Sequence, residues 1–102
     1  MSTDHRRAYE LLGRGDIEGA LALTAELVAR PDATAGALAA RATVLKAAGR
    51  PREALAANQT AVGRFPTNAV CWHNLASTLG DLGQAAEAET AANKAIGLGL
   101  AA

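Results

Sequence analysis

An all-α fold is predicted for this chain of 102 residues, arranged as three successive helix–turn–helix units, and three observations predict it. The first is composition. Alanine fills 27 positions, whereas Phe, Trp and Tyr occur once each and the chain holds four Val and two Ile. A sandwich or barrel of this size needs many β-branched and aromatic residues, and alanine is the strongest helix former. The second is a period. Gly15, Gly49 and Gly83 lie 34 residues apart, and Ala8/Ala42/Ala76, Leu11/Leu45/Leu79 and Ala20/Ala54/Ala88 keep the same spacing. The third is that apolar residues within each period follow helical spacing, broken near the glycine. The units are 1–34, 35–68 and 69–102, and together they make one domain, 1–102.

Taken in order, the first helix is expected over about 3–13, where Gly13 and Gly15 break it. Asp16 can cap a second helix, 17–29, which Arg30-Pro31-Asp32 closes. In the next unit Leu38, Ala42, Leu45 and Ala48 fall at i, i+4, i+7 and i+10 of a helix over 36–48. Gly49 stands where a left-handed residue ends a helix, and Pro51 suits the first turn of the following one, 51–63. Along that helix Ala54, Leu55, Ala57, Ala61 and Val62 share a face. Phe65-Pro66-Thr67-Asn68 punctuates, and Thr67 or Asn68 can cap the helix over 69–81 that carries Trp72, Leu75, Ala76 and Leu79. After Gly83 a last helix covers 85–96. Links this short force antiparallel hairpins. Small residues at Ala8/Ala20, Ala42/Ala54 and Ala76/Ala88 let paired helices approach closely.

Trp72, Leu75, Ala76, Leu79, Gly83, Ala88 and Ala95, in a 34-residue helix–turn–helix unit, resemble a tetratricopeptide repeat, and the resemblance covers the chain in three copies. The first copy departs most, with Asp4 and Arg7 where the others have Leu38 and Arg41, then Trp72 and Leu75; the third has Leu100 in place of a closing proline. End copies of an array are often atypical. The resemblance implies a right-handed α-solenoid with a concave groove lined by the first helix of each unit. The groove would carry His5, Arg6 and Tyr9, then Ala39, Thr43 and Lys46, then Val70, His73, Asn74 and Ser77. Such grooves bind an extended peptide or a partner helix. The slots that hold a two-carboxylate clamp in chaperone-binding members contain His5, Tyr9, Ala40, Val70 and Asn74 here, so acidic chaperone tails are not the expected ligand.

Ten basic residues balance ten acidic ones, which disfavours nucleic acid as a partner. The charge is uneven, however: −2 in 1–34, +4 in 35–68 and −2 in 69–102. Arg41, Lys46, Arg50, Arg52 and Arg64 form the positive band, read chiefly as a solvated surface. A single cysteine excludes an internal disulfide. No signal peptide or 18-residue apolar run is visible, so neither secretion nor a membrane is expected, and a reducing, cytoplasmic setting is the default.

No catalytic, metal or cofactor site is expected. Cys71 and His73 diverge by about 200° on a helix and cannot share a metal or act as a pair. Gly13-Arg14-Gly15-Asp16-Ile17-Glu18-Gly19 lacks the spacing of a nucleotide loop and follows a helix instead of a strand. Arg14-Gly15-Asp16 reads as a turn, and Asn58-Gln59-Thr60 lies mid-helix. The final stretch is apolar. Ala92, Ala95, Ile96, Leu98 and Leu100 would mark a face for self-association into a homodimer, or for a following segment if the chain is the N-terminal docking domain of a longer, enzymatic bacterial protein. The leading expectation is a non-catalytic module that binds a protein or peptide in its groove.

Overall fold

Six helices and no strand occupy the residues described by this computed structural model, 4–99: α1 (His5–Gly13), α2 (Ile17–Ala29), α3 (Ala35–Ala47), α4 (Pro51–Arg64), α5 (Ala69–Asp81) and α6 (Ala85–Gly97). Four of their starts are set by side chains that satisfy the first free N–H groups. Asp4 accepts from Arg6 N at 3.0 Å, Asp16 from Gly19 N at 2.9 Å, Thr34 from Ala37 N at 3.1 Å and Asn68 from Cys71 N at 3.1 Å. Of the two expected caps before α5, Asn68 is the one used. Side-chain hydrogen bonding from Arg6 also holds the Asp4 carboxyl below its ordinary value. The small, solvent-screened stabilisation this supplies is present above the ordinary carboxylate pKa and is lost as the pH falls through the lowered one. α4 has no side-chain cap, but Pro51 in its first turn removes one N–H that would need a partner.

One turn recurs three times. At Gly15, Gly49 and Gly83 φ is +80°, +76° and +78°. Around each glycine two bonds close the helix end. Asp16 N donates to Leu11 O at 2.9 Å and Gly15 N to Leu12 O at 2.9 Å; Arg50 N donates to Leu45 O and Gln84 N to Leu79 O in the same way. This is the Schellman arrangement, which needs a left-handed residue and so favours glycine. A Cβ on Gly49 would touch nothing within 4 Å, so the cost of substitution there is purely conformational. Gly49→Ala is therefore expected to destabilise by about 1 kcal/mol. Gly63→Ala, in the last turn of α4, where φ is negative, and equally free of neighbours, should stabilise by about 0.5 kcal/mol. Urea melts of the two variants check the opposite signs.

Each helix packs on the next in sequence, and in addition α1 lies against α3 and α3 against α5. The molecule measures 35 × 26 × 22 Å with a radius of gyration of 13.1 Å, the value expected of a folded domain this long. The main core joins the first two units: Ala8, Ala20, Leu21, Ala40, Ala42, Val44, Leu45 and Ala54 are all buried together. Ala8, Ala20, Ala42 and Ala54 are thus the fully enclosed members of the small-residue pairs, while Ala76 and Ala88 are half-buried beside Leu75, Leu79 and Ala91. Polar groups tie the units together as well. Arg41 of α3 donates to Leu21 O of α2 at 2.8 Å and to Thr24 Oγ1 at 3.2 Å. Asn58 of α4 donates to Thr78 Oγ1 at 2.7 Å and to Asn74 O at 3.3 Å, both on α5.

Candidate functional site

The predicted groove residues fall into two groups and a few outliers. On α1, His5 and Tyr9 stack edge to face with ring centroids 6.4 Å apart. The ring of His5 rests against Gly36 of α3, where any Cβ would collide with it. Tyr9 is 42% exposed, so part of its side chain is open to contact with another molecule. Arg6 points to solvent and pairs with Asp4 at 2.8 Å.

The second group sits between α3 and α5. Lys46 reaches across to Asp81 at 2.7 Å and to Ser77 Oγ at 3.1 Å. Lys46 and Ser77, with Thr43, Asn58, Asn74 and Thr78, border a polar niche of about 30 Å³, room enough for a water. In the sequence Asn58 stands out only as the first residue of Asn58-Gln59-Thr60, a motif that gives no sign of an interhelical contact. It is buried, its Nδ2 is satisfied by α5, and its Oδ1 has no hydrogen-bond partner among the described residues. The only sequence signal for that contact is a register: 34 residues separate Thr24, Asn58 and Ala92, so a polar residue occupies an interhelical slot that is apolar one unit later.

Ala39 is buried and backs the face instead of lining it, with its carbonyl accepting from Thr43 Oγ1 at 3.1 Å. Val70, 52% exposed, and His73, also exposed, lie on α5. The expected self-association residues are also spread out. Ala95 is buried within the chain and Ala92 and Leu98 are half-buried, whereas Ile96 is 48% exposed; Leu100 lies outside the described residues. The positive band of the second unit does not converge on the predicted groove residues. Lys46 is neutralised by Asp81, Arg50 lies 4.0 Å from Glu53, and Arg41 and Arg64 border a different cleft, lined by α3 and α4.

Cys71 and His73 part as their spacing predicts: the thiol is buried and the imidazole exposed. Among the described residues no group of three or more His, Cys, Asp or Glu is placed to hold a metal ion. Burial raises the Cys71 pKa above the ordinary thiol value, so the thiolate is disfavoured in the folded state. Alkylation at about pH 8 should be on the order of 100-fold slower in the native chain than in concentrated urea. The sign for stability follows: this contribution is intact below the unfolded thiol's pKa and is lost as the pH rises through the raised one. No helix among the described residues is long and apolar enough to cross a membrane. Compared with protein-family models and with curated proteins, the sequence matches none.

Proposed function

We propose that the chain is a non-catalytic interaction module: three tetratricopeptide-type repeats stacked as a right-handed α-solenoid, whose concave face binds a peptide or a partner helix. The observation that carries this reading is the side-by-side packing of α1, α3 and α5, which is over and above the packing of neighbours in sequence. These contacts support an arrangement with the first helices of all three units in one row, which would carry Tyr9, Thr43, Lys46, Asn74 and Ser77. A rigid surface formed before binding loses little entropy when a ligand settles on it. Aromatic side chains such as Tyr9 anchor such contacts. Interface size points to modest affinity, on the order of micromolar for a short peptide.

The test is selection of peptides on the immobilised chain, followed by fluorescence polarisation of the winners. Tyr9→Ala combined with Asn74→Ala is expected to weaken binding by about tenfold or more. The bond from Asn58 goes to the Asn74 carbonyl and survives the substitution. Unchanged affinity with unchanged helicity removes both residues from the site.

A second reading rests on Ile96, a large apolar side chain 48% exposed on α6. It has the chain self-associating through this helix into a homodimer. Light scattering that returns the monomer mass at about 100 μM contradicts it.

A further inference from the structure

The cleft that α3 and α4 line together with Val28 of α2 contains none of the residues on which the peptide-binding proposal rests. Two of its residues, Arg41 and Arg64, have counterparts 34 positions earlier, Arg7 and Arg30. In the first unit both counterparts are neutralised within their own helices: Arg7 pairs with Glu10 at 3.1 Å and Arg30 with Glu26 at 3.4 Å. The slots of those two carboxylates hold Val44 and Thr60 in the second unit. Among the described residues neither Arg41 nor Arg64 has a carboxylate partner. In the third unit the arginine slots hold Leu75 and Leu98. The second unit alone therefore keeps both cations and has lost both anions.

Arg41 is also fixed in place. Its Nη1 donates to Leu21 O at 2.8 Å and to Thr24 Oγ1 at 3.2 Å, and its other N–H groups make no hydrogen bond among the described residues. A planar guanidinium anchored along one edge presents a pre-set fork to an anion. The cleft measures about 320 Å³, and Val28, Leu38, Leu45 and Ala57 supply its apolar walls. An apolar cavity of this size with a few converging polar groups is the usual form of a small-molecule site. Glu53 also borders it, so the charge available to a ligand is two cations against one anion.

We propose that this cleft binds a small monoanionic amphiphile, a carboxylate on an apolar chain, with the carboxylate on Arg41 and Arg64 and the chain along Val28, Leu38, Leu45 and Ala57. The rim carboxylate of Glu53 favours a single negative charge over a dianion. The matching cleft one unit later, bordered by Trp72, Leu75, Leu79 and Glu87, offers apolar walls without either arginine and serves as an internal control.

The test is titration of the whole chain with octanoate, followed by amide shifts in NMR spectra. Saturable shifts centred on Val28, Leu38, Leu45 and Ala57 are expected, with a dissociation constant on the order of 10⁻⁴ M. Arg41→Leu installs the residue that the third unit carries in that slot. It should weaken binding about tenfold, as should Arg64→Leu on the exposed rim, while Glu53→Gln should tighten it a few-fold. Octan-1-ol, with the same chain and no charge, should bind about tenfold more weakly. Circular dichroism checks that each variant keeps its helices, and the exposed Arg64 keeps the test decisive if Arg41→Leu unfolds. The proposal is overturned by no saturation by about 5 mM octanoate, by octanol binding as well as octanoate, by shifts centred on Leu75 and Leu79, or by folded Arg64→Leu binding like the parent. Tighter binding of octyl phosphate as its dianion also contradicts it.

Discussion

Ala54→Leu is expected to lower the stability of the chain by about 3 kcal/mol. Ala54 has no exposed surface and shares its cluster with Ala20, Ala40, Ala42 and Val44, so three extra carbons have nowhere to go. Either the α3–α4 hairpin must spread or neighbouring side chains must leave their rotamers. The same substitution at Ala88, one unit later and half-buried, should cost less than about 1 kcal/mol, because its side chain can extend toward solvent. Urea denaturation followed by circular dichroism measures both. Domains of this size carry only about 5–15 kcal/mol in total, so Ala54→Leu consumes a large part of the margin. Equal costs at the two positions would show that the middle hairpin is no more tightly enclosed than the last.

The second large effect is expected at Leu45. Leu11, Leu45 and Leu79 occupy one slot in three units, yet Leu45 and Leu79 are buried while Leu11 is half-buried. Leu45 belongs to the main core, enclosed between the first unit and its own α4. Leu45→Ala should cost about 3 kcal/mol, the lost transfer of the side chain plus the cavity left behind. Leu11→Ala should cost about half as much, because part of its surface is already in water. On a domain of about 100 residues the Leu45 variant should melt at least 12 °C lower than the parent. A differential scan that ranks Leu11→Ala as the more damaging change contradicts the packing described above.

The helices were legible because their signals are local. Glycine at Gly15, Gly49 and Gly83 marks a left-handed turn, apolar spacing marks the buried stripe, and Asp16 is a cap by its chemistry alone; all three reappear in the geometry. The interhelical polar contacts were not legible. Arg41 reads as a surface charge in sequence, but its acceptor Leu21 O belongs to another helix twenty residues away. Asn58 reads as an ordinary polar residue in mid-helix, and only the three-dimensional arrangement brings it to Thr78. Lys46 was counted with the positive band, yet Asp81 of the acidic third unit neutralises it. Period 34 predicts which residues occupy equivalent slots, whereas side-chain identity in those slots decides which contacts form, and that identity varies from unit to unit. The arginine pair in the α3–α4 cleft illustrates the difference: the slots repeat but their neutralising carboxylates do not.

The central claim is that the first helices of the three units lie side by side in one row. A NOESY spectrum of the labelled chain tests it most directly. The account predicts cross-peaks from the His5 ring to the Gly36 α protons, joining α1 to α3, and from the Lys46 side chain to Ser77, joining α3 to α5. Absence of both, in a spectrum where the Asn58 amide still contacts Thr78, contradicts it.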